Sequence, residues 1–166
     1  MAKIILGNAV VDDTWTLVRE DSTALPTLPV GDVIVSLARY QAEKAALLAR
    51  GTKIGVWLQP TDEPEILVSE FANLALIAVD FPAFKDGRGY SIGWLLRGRY
   101  GWQGELRAIG DVLQDQLFFY KRVGFNAYAV REDKDIHEAL NGLQDFSEVY
   151  AGSIDQPIPL FRRRAA

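Results

Sequence analysis

The sequence predicts an α/β fold: five consecutive β–α units forming a mainly parallel open sheet with helices on its faces, preceded by a short N-terminal β-hairpin. Three observations lead there. From Gly31 onward, short apolar β-rich runs alternate with segments of helical period. Glycine and proline punctuate the junctions. The order is strand then helix each time, which argues for parallel strands joined by crossovers. A complete eightfold barrel takes about 200 residues or more, and the chain has 166. A partial TIM-barrel-like sheet is therefore the alternative. Either arrangement gathers functional groups at the carboxyl ends of the strands. The chain reads as a single domain, with hairpin and linker over 1–30, the β–α core over 31–145 and an irregular tail over 146–166.

The elements follow in order. Lys3 to Leu6 and Thr14 to Val18 read as the two hairpin strands around Asp12-Asp13. Leu25-Pro-Thr-Leu-Pro29 forbids regular structure. Val33 to Val35 is a strand. Ser36 caps a helix that carries Leu37, Tyr40, Leu47 and Leu48 on one face and stops at Gly51. Lys53 to Leu58 is the next strand, and Pro64 suits the first turn of a second helix. Leu76 to Val79 is followed by a long loop and a helix over 91–100. Glu105 to Ile109 leads to a helix from Asp111 to Gly124, where Asp111 with Gln114 fits a capping box. Ala127 to Val130 and a helix over 133–143 complete the series.

Composition narrows the chemistry. Hydrophobic residues make up 49% of the chain, enough for a real core. There is no cysteine, which excludes disulfides, thiolate nucleophiles and cysteine-ligated clusters. A single histidine, His137, argues against haem and multi-histidine metal sites, so no cofactor and no metal are expected. The net charge of −4 lacks the basic signature of a nucleic-acid binder. No apolar run reaches the roughly 20 residues of a membrane span, and the N-terminus lacks a signal-peptide cleavage site. The expected location is cytoplasmic.

The strand-end rule then selects candidates. Asp80 closes the third strand. The loop beyond it, Phe81-Pro-Ala-Phe-Lys-Asp-Gly-Arg-Gly89, sets two glycines around Arg88 before a helix. That composition suits an anion-binding loop, with Lys85 beside it, because glycine exposes backbone N–H groups and a helix start favours negative charge. The plainer reading is a tight turn with a solvated arginine. The glycine spacing fits neither a P-loop nor a dinucleotide fingerprint. Residues 85–107 carry five basic and two acidic side chains. Arg107 lies within Leu106-Arg-Ala-Ile109, a strand fit for burial, so it needs a partner such as Asp80 or Glu105 or else reaches a ligand. Gln116 falls on the apolar face of its helix and needs a buried partner or a ligand. Arg131 follows the fifth strand. The acid–base candidates are Asp80, Asp86 and Asp111, the last also a helix cap. The anion or substrate candidates are Lys85, Arg88, Arg107, Arg131 and Gln116.

The segment from Asp80 to Arg131 carries a resemblance. Its pattern is Phe81-Pro-x-Phe-x-Asp-Gly-Arg-Gly-x-Ser91, Leu95-Leu-Arg97, Gly104-Glu-Leu-Arg-Ala-x-Gly-Asp-Val-Leu-x-Asp-Gln-Leu117 and Gly124-Phe-Asn. It is similar to a bacterial family of unknown function whose members are described as oxidoreductases of sulfite reduction, their genes accompanying that of the sulfite reductase haemoprotein. The resemblance implies a role in assimilatory sulfur metabolism and supplies no catalytic residues. Three functions follow as expectations. One is an accessory protein that binds the reductase haemoprotein or a small anion such as sulfite, sulfate or phosphate. The second is a small enzyme with an anionic substrate at the strand ends. The third is a structural homodimerisation module. Whether the chain catalyses a reaction is left open by its residues.

Overall fold

The computed structural model describes residues 1–19, 27–146 and 148–164. Leu25 and Pro26 of the proline-rich run lie outside the described residues.

Eight strands form one sheet in the order β2-β1-β8-β7-β6-β5-β4-β3. They are β1 (Lys3–Leu6), β2 (Ala9–Asp12), β3 (Thr16–Leu17), β4 (Val33–Ser36), β5 (Ile54–Leu58), β6 (Leu76–Phe81), β7 (Glu105–Gly110) and β8 (Ala127–Tyr128). β3 to β8 pair in parallel and in chain order. β1 runs antiparallel to both β8 and β2.

That order corrects two expectations. The N-terminal hairpin is β1 with β2, not with Thr14 to Val18; the latter region supplies β3 at the opposite edge. An open sheet with helices on both faces needs a reversal of strand order, and there is none. Right-handed crossovers taken in sequence put every helix on one side. The main apolar cluster accordingly joins Val35, Val56, Val79 and Ala108 to helix residues such as Leu37, Leu67, Leu96 and Leu117. The second cluster holds Ile34, Trp57, Leu76, Ala78 and Ile109, with Trp15, Leu17 and Ala129 against it, and no helix.

The sheet curls into a half-barrel, the alternative of the sequence reading. Chain geometry demands the curl. Three residues, Asp13 to Trp15, link β2 at one edge to β3 at the other. Seven inter-strand steps in a flat sheet span roughly 33 Å, whereas the link reaches about 14 Å at most. The helix-free face is therefore concave, and Trp15 and Leu17 help to fill it.

The helical layer differs in detail from the periodicity. α1 (Leu37–Leu48) begins as expected, with Ser36 Oγ accepting from Arg39 N–H at 3.1 Å. Residues 64–73 form a 3-10 segment. α2 (Arg88–Trp94) starts three residues before Ser91 and continues as a π turn over Leu95–Arg99. α3 (Gln114–Arg122) starts after Asp111, so Asp111 is not its cap; Gln116 Oε1 accepts from Leu113 N–H instead. α4 (Ile136–Ala139) is capped by Asp135 and runs on as a 3-10 turn. The tail is not free: Arg122 pairs with Asp155 and donates to Ala151 O, and α5 (Leu160–Arg163) follows. No described helix is long and apolar enough to cross a membrane.

Candidate functional site

The pleat sends alternate residues of each parallel strand into the concave face. On β6 these are Leu76, Ala78 and Asp80; on β7 they are Glu105, Arg107 and Ile109. Charge has thus been placed where a barrel interior begins. Arg107 is 2% exposed. Its Nε donates to Glu105 Oε1 at 2.8 Å and its Nη1 to Asp13 Oδ2 at 2.9 Å. Its Nη2 also lies 2.8 Å from Glu105 Oε1, but without hydrogen-bond geometry, and has no acceptor among the described residues. A guanidinium N–H buried without an acceptor is uncommon and costly.

A second ion pair crosses the same face. Arg19, just beyond β3, donates to Asp80 Oδ1 at 2.7 Å and lies over the Trp57 ring, whose Nε1 donates to Val18 O. Gly110 makes room for Asp80. It has φ +94°, and a Cβ there would meet Phe81 O at 2.5 Å and Asp80 Oδ1 at 2.7 Å. A third group closes the rim. Arg131 donates to Asp111 Oδ1 at 2.8 Å, and to Asp133 Oδ1 at 3.0 Å and Oδ2 at 2.8 Å. Hydrogen bonds from Arg131 hold the Asp133 carboxyl below the usual aspartate range, and Asp111 and Asp133 in turn raise the guanidinium.

These groups surround one cleft of about 550 Å³ at the strand carboxyl ends. Lys3, Arg19, Arg107 and Arg131 line it with Asp13, Glu132, Asp133, Ile109, Gly110 and Ala129. We refer to it as the mouth. A concave site with a few convergent polar groups at this edge is where α/β barrels and sheets take ligands. Among the described residues no group of three or more His, Asp or Glu side chains is set to hold a metal ion.

The candidates divide. Arg107 and Arg131 line the mouth, and Asp80 and Asp111 are tied to arginines that line it. The other candidates lie elsewhere. Arg88 forks onto Asp86 at 2.9 and 2.7 Å, which holds the Asp86 carboxyl low. Arg88 opens α2, so the glycine-flanked loop is in fact a helix start. Lys85 is exposed between β6 and α2. Gln116 is buried on the helix side, donating to Phe84 O and accepting from Tyr120 Oη. Sequence reasoning missed Asp13 and Arg19. Arg19 obeys the same strand-end rule once Thr16–Leu17 is counted in the parallel sheet. Asp13 carried no signal beyond its place in an expected turn.

The helical side presents a different surface. Tyr90, Trp94, Leu95 and Val123 line one shallow groove, and Tyr90, Phe118, Phe119 and Val123 line a neighbouring one of about 610 Å³. Trp94 and Phe119 are about half exposed.

Residues 55–161 match the model of a family described as bacterial protein of unknown function, DUF934. The chain belongs to this family. The DUF934 match covers β5 to the tail, and with them Asp80, Glu105, Arg107, Asp111, Arg131 and Asp133; Lys3, Asp13 and Arg19 come from outside it. No curated protein matches the chain.

Proposed function

We propose that this DUF934 protein is an accessory component of assimilatory sulfite reduction whose mouth holds a small oxyanion-bearing ligand. The observation that carries the reading is the mouth itself: four cationic side chains line one cleft, among them the buried guanidinium of Arg107. Arginine forks suit the flat oxygen pairs of carboxylate and sulfur oxyanions. Arg131 is the most accessible of its arginines, with 41% side-chain exposure. The link to sulfite reduction rests on the resemblance of the segment from Asp80 to Arg131. The reductase haemoprotein is the proposed partner, and the aromatic face of α2 and α3 supports docking of a protein.

Thermal unfolding with sulfite, sulfate and a small organic sulfonate tests the ligand half. A bound ligand raises the melting temperature by mass action. The expected result is a saturable rise with at least one probe that Arg131→Gln abolishes. A rise that survives in Arg131→Gln assigns the ligand elsewhere. Co-purification with the haemoprotein, and slower growth on sulfate after deletion, test the accessory role; neither effect occurring would defeat it. A homodimer through the aromatic face is the competing outcome and is read from the size in solution at micromolar concentration.

A further inference from the structure

Once the ion-pair partners of its lining residues are included, the mouth and its immediate surroundings carry more negative charge than positive. Each cation that lines it is already matched: Lys3 by Asp12, Arg19 by Asp80, Arg107 by Asp13 and Glu105, Arg131 by Asp111 and Asp133. Glu132 also lines the cleft. With Lys134, 4.0 Å from Asp133, five cations stand against seven carboxylates in and immediately around one concave site. A free dianion entering here gains arginine contacts but is repelled by the surplus carboxylates, and that repulsion is strong within a partly closed cleft. A simple cation answers the surplus but takes nothing from the fork of Arg131.

We infer that the ligand is a small zwitterion, an oxyanion group joined by a short chain to an ammonium group, rather than a free inorganic anion. This rests on the mouth being the ligand site. The oxyanion exchanges with Asp133 on the fork of Arg131. Asp133 is the accessible partner there, with 54% side-chain exposure against 22% for Asp111. The displaced Asp133 carboxylate and the neighbouring Glu132 then face the ammonium group. One ligand thereby replaces an internal ion pair with two external ones, and charge is conserved in the cleft. Arg107 stays beneath, held by Asp13 and Glu105.

Calorimetric titration with matched probes separates the alternatives. Taurine and isethionate share a two-carbon sulfonate and differ in ammonium against hydroxyl; β-alanine and 3-hydroxypropionate repeat the comparison with a carboxylate. The expected result is taurine or β-alanine binding at least about tenfold more tightly than its hydroxyl counterpart. Glu132→Gln with Asp133→Asn should remove that preference, and Arg131→Gln should abolish binding by both members of a pair. These side chains are at the surface rim, so the variants keep the fold. Equal or tighter binding of the hydroxyl probes or of sulfite, still lost in Arg131→Gln, overturns the zwitterion and leaves the mouth as an anion site. Absence of binding by every probe, including sulfite, overturns both.

Discussion

Leu106 and Arg107 are neighbours on β7 and almost equally buried, at 0% and 2% exposure, yet they face opposite sides of the sheet. Leu106 enters the apolar layer between sheet and helices. Arg107 enters the concave side and is held by Asp13 and Glu105. The helix side is stabilised by removing apolar surface from water, which is non-directional and tolerant. The concave side joins residues distant in sequence through directed ion pairs, each of which repays its desolvation only while its partners remain. Apolar packing makes the scaffold, and the charged face is what the curl leaves open to a ligand.

The largest effects should separate these two faces. Arg107→Met leaves Asp13 and Glu105 uncompensated in a confined site, and breaking a buried pair costs about 3–5 kcal/mol. Adding Asp13→Asn and Glu105→Gln should recover most of the loss in urea unfolding. No recovery would mean that Arg107 stabilises by packing alone. Leu106→Ala should cost about 2–5 kcal/mol through the cavity it leaves. That loss should be unaffected by the two amide substitutions and should hold equally in low and high salt.

A smaller effect is expected where an ionic group belongs to the helix side. Glu70 accepts from Tyr40 Oη at 2.8 Å and Lys44 Nζ at 2.7 Å, and bridges α1 to the 3-10 segment. Hydrogen bonds from Lys44 and Tyr40 lower its carboxyl from 4.5. A depressed carboxylate contributes stability above its unfolded value and loses it as pH falls through the folded one. The stability difference between the protein and Glu70→Gln should therefore be steady near neutral pH and shrink as pH falls below 4.5. A difference that grows on acidification contradicts the assignment. Arg131→Gln should be the mildest, because exposed pairs contribute little to stability. Its large effect should be on ligand binding alone.

The helix side was the more legible in sequence, and the reason is physical. Local periodicity marks Leu37, Tyr40 and Leu47 or Leu117 and Tyr120 as faces, and Ser36 as a cap, because those signals lie within one turn or two. The strands of the β–α core were found for the same reason. The curl was legible only as the alternative, since it depends on three residues linking opposite edges of the sheet. Pairing across the concave face spans 61 residues for Arg19 and Asp80 and 94 for Asp13 and Arg107, beyond the reach of any local pattern. Arg107 was conspicuous as a charge in an apolar strand, and Glu105 was legible as a partner by proximity. Asp111 misled because its spacing to Gln114 imitates a cap that Leu113 and Gln116 in fact close.

The central claim is that the mouth, and not the aromatic helical face, is where the small ligand binds. Amide NMR during titration with taurine and with sulfite tests it most directly. Saturable shifts are expected at Ile109, Gly110 and residues 129–133 with at least one of them, absent in Arg131→Gln. Shifts centred on Tyr90, Trp94 and Phe119, or no saturable shift with either, would contradict it.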